Sequence, residues 1–148
     1  MFQSQEYVGV LIAAARRSLR QAVQRSIEPL RLTPPHFWML LALDGMSGAS
    51  LGDLARRLRI DAPAASRTVA ALVRRGLVRF QLDRDDRRRS RLSLTRPGEE
   101  LVRKLRPIAD ELRARLVSGM NPDEEDVLRT LLRKVIRNLD DAPLRSSR

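Results

Sequence analysis

Five arginines fall within the eight residues from Arg84 to Arg91, interleaved with Asp85 and Asp86 and preceded by Asp83. Guanidinium groups at that density suit one kind of chemistry. Each can place two parallel N–H donors on a phosphate, and together they displace the counterions that a polyanion holds. Widened to residues 74–91, the stretch holds eight arginines against three aspartates, a net +5 of the chain's +11. A solvated charged loop is the plain alternative, but such loops rarely concentrate arginine this strongly. The overall preference for arginine, with Lys104 and Lys134 the only lysines, reads as compositional bias and does not explain the clustering.

Other chemistry is thinly represented. The chain has no cysteine, which excludes disulfides, thiolate metal sites and thiol redox switches. His36 is the single histidine, and no acidic cluster has the spacing of a metal-binding loop, so neither a metal nor a cofactor is expected. Ser66 and His36 are the nearest approach to a nucleophile and a base. They lack a third partner and a glycine loop, so an enzyme is not expected. No apolar run reaches the roughly 18 to 20 residues that span a bilayer, and no basic segment precedes the first apolar stretch. The expected compartment is therefore the cytoplasm, without membrane association. There a protein with a pI near 11.6 meets nucleic acid as its chief polyanion.

Helical periodicity dominates the rest. Val8, Leu11, Ile12, Ala15, Leu19, Val23, Ile27 and Leu30 recur at three- and four-residue steps, which predicts a helix over 6–31. Thr33 and Pro34 fit the N-cap and first position of a second helix, ended by Asp44-Gly45. Ser50, with Asp53 three residues on, caps a short third helix through Leu58. Ile60 and Asp61 make a tight turn, and Asp61 caps a fourth helix from Ala62 to Arg75, stopped by Gly76. Residues 77–82 and 91–95 alternate loosely on either side of the charged stretch, as a β-hairpin does. A long helix opens at Pro97-Gly98, Gly119 to Pro122 interrupt it, and a last helix begins with Asp123, Glu124 and Glu125.

Two short helices joined by a tight turn fit helix-turn-helix geometry, and the second is the candidate recognition helix. Its first turns are small and polar, as entry to a major groove about 12 Å wide requires. Pro63, Ala64, Ser66, Arg67 and Thr68 are its expected DNA-facing residues. The charged hairpin beside it is a wing.

Taken together, Gly76-Leu77-Val78, Asp83-Arg84-Asp85-Asp86-Arg87-Arg88 and Leu92-Ser93-Leu94-Thr95-Arg96-Pro97-Gly98 resemble the signature of the multiple antibiotic resistance regulator (MarR) family in order and spacing. The resemblance covers nearly the whole chain. It implies a mainly α fold with a small β-hairpin wing: a winged helix-turn-helix over 33–95, flanked by a helical dimerisation region over 1–32 and 96–148. It implies a homodimeric transcriptional regulator, in the commonest case a repressor, on double-stranded DNA with a palindromic operator. Arg88 corresponds to the wing-tip arginine that enters the minor groove, and Asp86 to the aspartate that orients it. Arg84, Arg87, Arg89 and Arg91 look like supplementary phosphate contacts. Leu11, Leu19, Leu128, Leu131 and Val135 are the expected dimer interface. The family's effector cleft would be bordered here by Arg17, His36 and Trp38, which suit a small aromatic or phenolic ligand. Trp38 equally fits a core position and His36 a surface one. A nonspecific architectural DNA-binding protein, or an interaction module that uses the arginines on an acidic partner, would share the charge and the fold.

Overall fold

The computed structural model describes residues 7–86 and 90–141. Arg87, Arg88 and Arg89, three of the expected DNA contacts, lie outside the described residues. The elements run α1 (Val8–Ile27), a short 3-10 turn (Glu28–Leu30), α2 (Pro34–Gly45), α3 (Leu51–Leu58), α4 (Ala62–Arg74), β1 (Val78–Leu82), β2 (Ser90–Leu94), α5 (Arg96–Leu116) and α6 (Pro122–Asp140). The chain divides into two compact units, Met1–Leu112 and Arg113–Arg148.

The first unit is built around one apolar core. Val23 and Ile27 of α1, Phe37 and Leu40 of α2, Leu54 of α3, Leu72 of α4, Leu92 of β2 and Leu105 of α5 are all fully buried in it. α1 contributes only its C-terminal half. It ends four residues before the predicted boundary, because a proline at 29 cannot continue the α-helical ladder. The chain then turns at Arg31, whose φ of 55° is left-handed.

The helix-turn-helix follows from its caps. Ser50 Oγ accepts the Asp53 N–H at 3.1 Å and Asp53 Oδ2 accepts the Ser50 N–H at 3.0 Å, so two orphan donors of α3 are satisfied reciprocally. α3 closes at Arg59, also left-handed at φ 53°, with the Ile60 N–H reaching back to the Ala55 carbonyl at 3.0 Å. Asp61 then accepts the Ala64 N–H at 2.7 Å and starts α4.

β1 and β2 form an antiparallel pair, with Val78 opposite Leu94 and Leu82 opposite Ser90. Residues 46–49, between α2 and α3, supply a further contact. Ala49 bridges Leu92, with Gly48 N–H to Leu92 O and Leu92 N–H to Ala49 O both at 2.9 Å. The second strand is thereby held on both edges, and the base of the hairpin is tied to the entrance of α3.

The Thr95-x-x-Gly98 pattern has a physical reason. Thr95 donates its N–H to Leu77 O at 3.1 Å and its hydroxyl to Gly76 O, and accepts the Gly98 N–H at 3.2 Å. That pulls the first turn of α5 onto the start of β1, where a Cβ on Gly98 would stand 2.1 Å from Leu77 O. Further along, Arg106 grips Asp44 through Nε and Nη2 at 2.9 and 2.7 Å and holds its carboxyl below the usual range.

In the second unit, α6 is capped by Asn121, which accepts the Glu124 N–H at 2.9 Å while Glu124 returns a bond to the Asn121 N–H. The helix therefore starts at Pro122, one residue before the predicted boundary. No residue of α6 is buried, and Val127, Leu131, Leu132 and Leu139 are exposed. Among the described residues, no helix is long and apolar enough to cross a membrane.

Candidate nucleic-acid interface

α4 presents two unlike faces. Ala65, Val69 and Leu72 are buried against the core, as their spacing predicts. Pro63, Ser66, Arg67 and Arg74 recur at three-, one- and seven-residue steps on the exposed side, with half-buried Ala64 and Ala70 beside them. Small side chains on an uncovered face, with one arginine in the second turn, leave a helix narrow enough for a major groove. Arg74 was missed by sequence reasoning, although it continues the face that Arg67 begins.

Thr68 departs from expectation. It is only 9% exposed and its hydroxyl donates to the Ala64 carbonyl at 2.9 Å. A hydroxyl bonded back to its own helix and turned towards the core is poorly placed to read a base edge. The structure gives it a packing position instead. Arg56, Arg57 and Arg59, on α3 and in the turn after it, are exposed and add positive charge beside α4; sequence reasoning did not single them out.

In the hairpin, Arg84 and Asp86 are exposed on the described shoulder of the wing. Arg91, expected as a phosphate contact, has a partner already: its Nε and Nη2 both donate to Asp83 Oδ2, at 3.0 and 2.9 Å. Asp83 also accepts the Asp85 N–H at 3.0 Å. The backbone amide of Asp85 and then the Arg91 guanidinium hold the Asp83 carboxyl below its ordinary range. Nearer the base of the hairpin, Arg79 Nε donates to Ser93 Oγ at 3.1 Å.

The three residues expected around an effector occupy different settings. Arg17 is exposed on α1. His36 is half-buried and its Nδ1 accepts the Thr33 N–H at 3.3 Å, so it serves the N-terminus of α2. Burial, and then the charge of Arg75, lower its pKa and favour the neutral ring that this bond requires. Arg75 itself donates to the Arg31 carbonyl at 2.7 Å, tying the end of α4 to the α1–α2 connection. Trp38 is 37% exposed and packs edge-on against Phe37, with ring centroids 4.9 Å apart. Among the described residues no hydrogen bond joins the three.

Of the expected interface residues, Leu19 packs partly against the core of its own unit, whereas Leu11 and Leu131 are about half exposed, at 45% and 53%. Leu128 and Val135 are half-buried on α6.

Comparison with known proteins gives this arrangement its setting. A model described as the MarR family matches residues 32–89, from the entry to α2 into the hairpin turn. BpsR of Bordetella bronchiseptica, whose DNA binding is regulated by 6-hydroxynicotinic acid, is 29% identical; the match covers 97% of this chain and 99% of that one, with a TM-score of 0.80. A MarR transcriptional regulator from Methanosarcina mazei is 27% identical over 93% of this chain and 100% of that one, with a TM-score of 0.75. The transcriptional repressor CouR, solved on a 23-mer DNA duplex, is 27% identical over 88% of this chain and 93% of its own, also with a TM-score of 0.75.

Proposed function

We propose that this chain, which belongs to the MarR family of DNA-binding transcriptional regulators, acts in the cytoplasm as a homodimeric repressor that reads a palindromic operator and is released by a small aromatic or phenolic ligand. The observation that carries the DNA-reading part is the uncovered face of α4, with Ser66 and Arg67 upon it, beside a hairpin that concentrates arginine. Pro63, Ala64, Ser66 and Arg67 enter the major groove. Arg88 reaches the minor groove, oriented by Asp86, and Arg84, Arg87 and Arg89 hold phosphates. Binding in this mode depends steeply on salt, because each neutralised phosphate releases a counterion.

The wing assignment is tested by titrating operator across salt concentrations. Arg88→Ala is expected to weaken binding by about 1 to 3 kcal/mol, as loss of a good base-edge contact does. Arg89→Ala should instead lower the slope of log affinity against log salt by about one. Wild-type binding by Arg88→Ala would remove the wing from the interface.

The ligand reading is supported by the regulation of BpsR by 6-hydroxynicotinic acid and by the part-exposed ring of Trp38 on α2. Without a cysteine a thiol switch is unavailable, and the proposed signal is a non-covalent one. It acts only by binding the DNA-incompetent state more tightly than the competent one. A panel of aromatic carboxylates and phenols, read by anisotropy of labelled operator, should contain a compound that releases DNA at micromolar to millimolar concentration. Trp38→Ala should blunt that response more than it weakens DNA binding; equal responses in wild type and variant would place the ligand elsewhere.

A further inference from the structure

Asp83 directly follows the first strand of the hairpin, with its carboxylate almost fully engaged. One oxygen accepts the Asp85 N–H at 3.0 Å, and the other accepts Nε and Nη2 of Arg91 at 3.0 and 2.9 Å. The backbone amide of Asp86 reaches the same carboxylate. The Asp83 side chain is 13% exposed, against 57% for Arg91. Arg91 in turn lies over the loop between α2 and α3: its Nη1 is 3.8 Å from where a Cβ on Gly48 would stand. One carboxylate therefore joins two amides that set the direction in which the chain leaves β1, a guanidinium on the returning strand and, through it, the entrance of α3.

We propose that Asp83 is a positioning residue of the wing, which aims the arginine-bearing turn relative to α4 and so strengthens DNA binding without touching DNA. This rests on the reading that the wing contacts DNA. The sign of its effect separates it from a bystander. A surface carboxylate near DNA that does nothing else repels phosphate, so neutralising it should tighten binding. A carboxylate that holds the turn in place should weaken binding when neutralised, even though the net charge rises by one unit. Arg91 then has a matching signature: its guanidinium is held by Asp83, so its loss should leave the salt slope unchanged.

The experiment uses the full chain, with anisotropy of an operator duplex at several salt concentrations and thermal unfolding of each variant. Asp83→Asn and Asp83→Ala are expected to weaken binding about tenfold, the scale of a well-coupled polar pair, with unfolding midpoints near that of wild type. Arg91→Gln should weaken binding with an unchanged slope, and the double variant Asp83→Asn/Arg91→Gln should lose less than the product of the single losses. If Asp83→Ala fails to fold, Asp83→Asn, which keeps an acceptor for the Asp85 amide, decides. Binding by Asp83→Asn as tight as wild type or tighter overturns the proposal. So does a slope flattened by about one in Arg91→Gln, which would make Arg91 a phosphate contact. Arg88→Ala run alongside tells which idea has failed. If it too binds like wild type, the wing reading falls and takes this one with it; if it alone is impaired, only the positioning role falls.

Discussion

Introducing glutamate at Val127 and Leu131 together is expected to convert the protein to a monomer and to lower operator affinity at least about a hundredfold, the scale on which linked half-site binding exceeds single binding. Val127, Leu131 and Val135 follow one another at four-residue steps on α6, and the first two are 57% and 53% exposed. Burial of an apolar side chain of this size stabilises by roughly 1.5 to 3 kcal/mol. A helix of 19 residues with none buried leaves most of that stabilisation unrealised in one chain. Tyr7, Val8, Val10 and Leu11 at the start of α1 are likewise uncovered. The proposed cover is a second copy of the chain, whose twofold symmetry would match a palindromic operator. Because Val127 and Leu131 are exposed within the protomer, the variant should keep its helical circular dichroism. Sedimentation decides the matter. A wild-type monomer at micromolar concentration, or a double variant that binds operator undiminished, would remove the dimer from the account.

Gly98→Ala is expected to destabilise the protein by about 3 kcal/mol, near the upper end for overpacking. The added methyl would lie 2.1 Å from the Leu77 carbonyl oxygen and 3.1 Å from its carbon, both backbone atoms that no rotamer change can move. Relief requires the first turn of α5 to withdraw from β1, and that breaks the bonds Thr95 makes to Leu77 and Gly76. For a chain of this size the unfolding midpoint should fall by roughly 6 to 12 °C. Gly45→Ala is the control: nothing lies within 4 Å of its added Cβ, and alanine is the better helix former. Equal midpoints for Gly98→Ala and wild type would mean that the α5–β1 contact is looser than described.

Much of this was legible in the residues themselves, wherever the determining interaction is local. Ser50 with Asp53, and Asp61 ahead of Ala62, announce the helix-turn-helix because a cap acts within three residues. The hairpin and the α5 start lay in the period change after Gly76 and in Thr95-x-x-Gly98. Three things were hidden because they depend on distant chain. The Ala49–Leu92 bridge pairs one residue with a strand 43 positions away and leaves no periodic mark. The burial of Thr68 depends on which side of α4 meets the core, and a polar residue one step beyond Ser66 and Arg67 reads the same from either side. The engagement of Arg91 by Asp83 appears only once β2 returns beside β1, so in sequence Arg91 is one more arginine in a run. Asn121 was a local signal passed over, because Pro122 was read as a breaker when it fits the first position of α6.

The central claim, that this protein reads sequence and does not merely coat DNA, is tested most directly by selection. The full-length protein is used to enrich duplexes from a random-sequence pool at physiological salt, and the winner then competes with its own scrambled version for binding. The account predicts an enriched palindrome whose half-sites are centred about one helical turn apart, bound at least about a thousandfold more tightly than the scrambled duplex. A pool that yields no common sequence, with selected and scrambled duplexes bound equally, would contradict it and mark the protein as a nonspecific architectural binder.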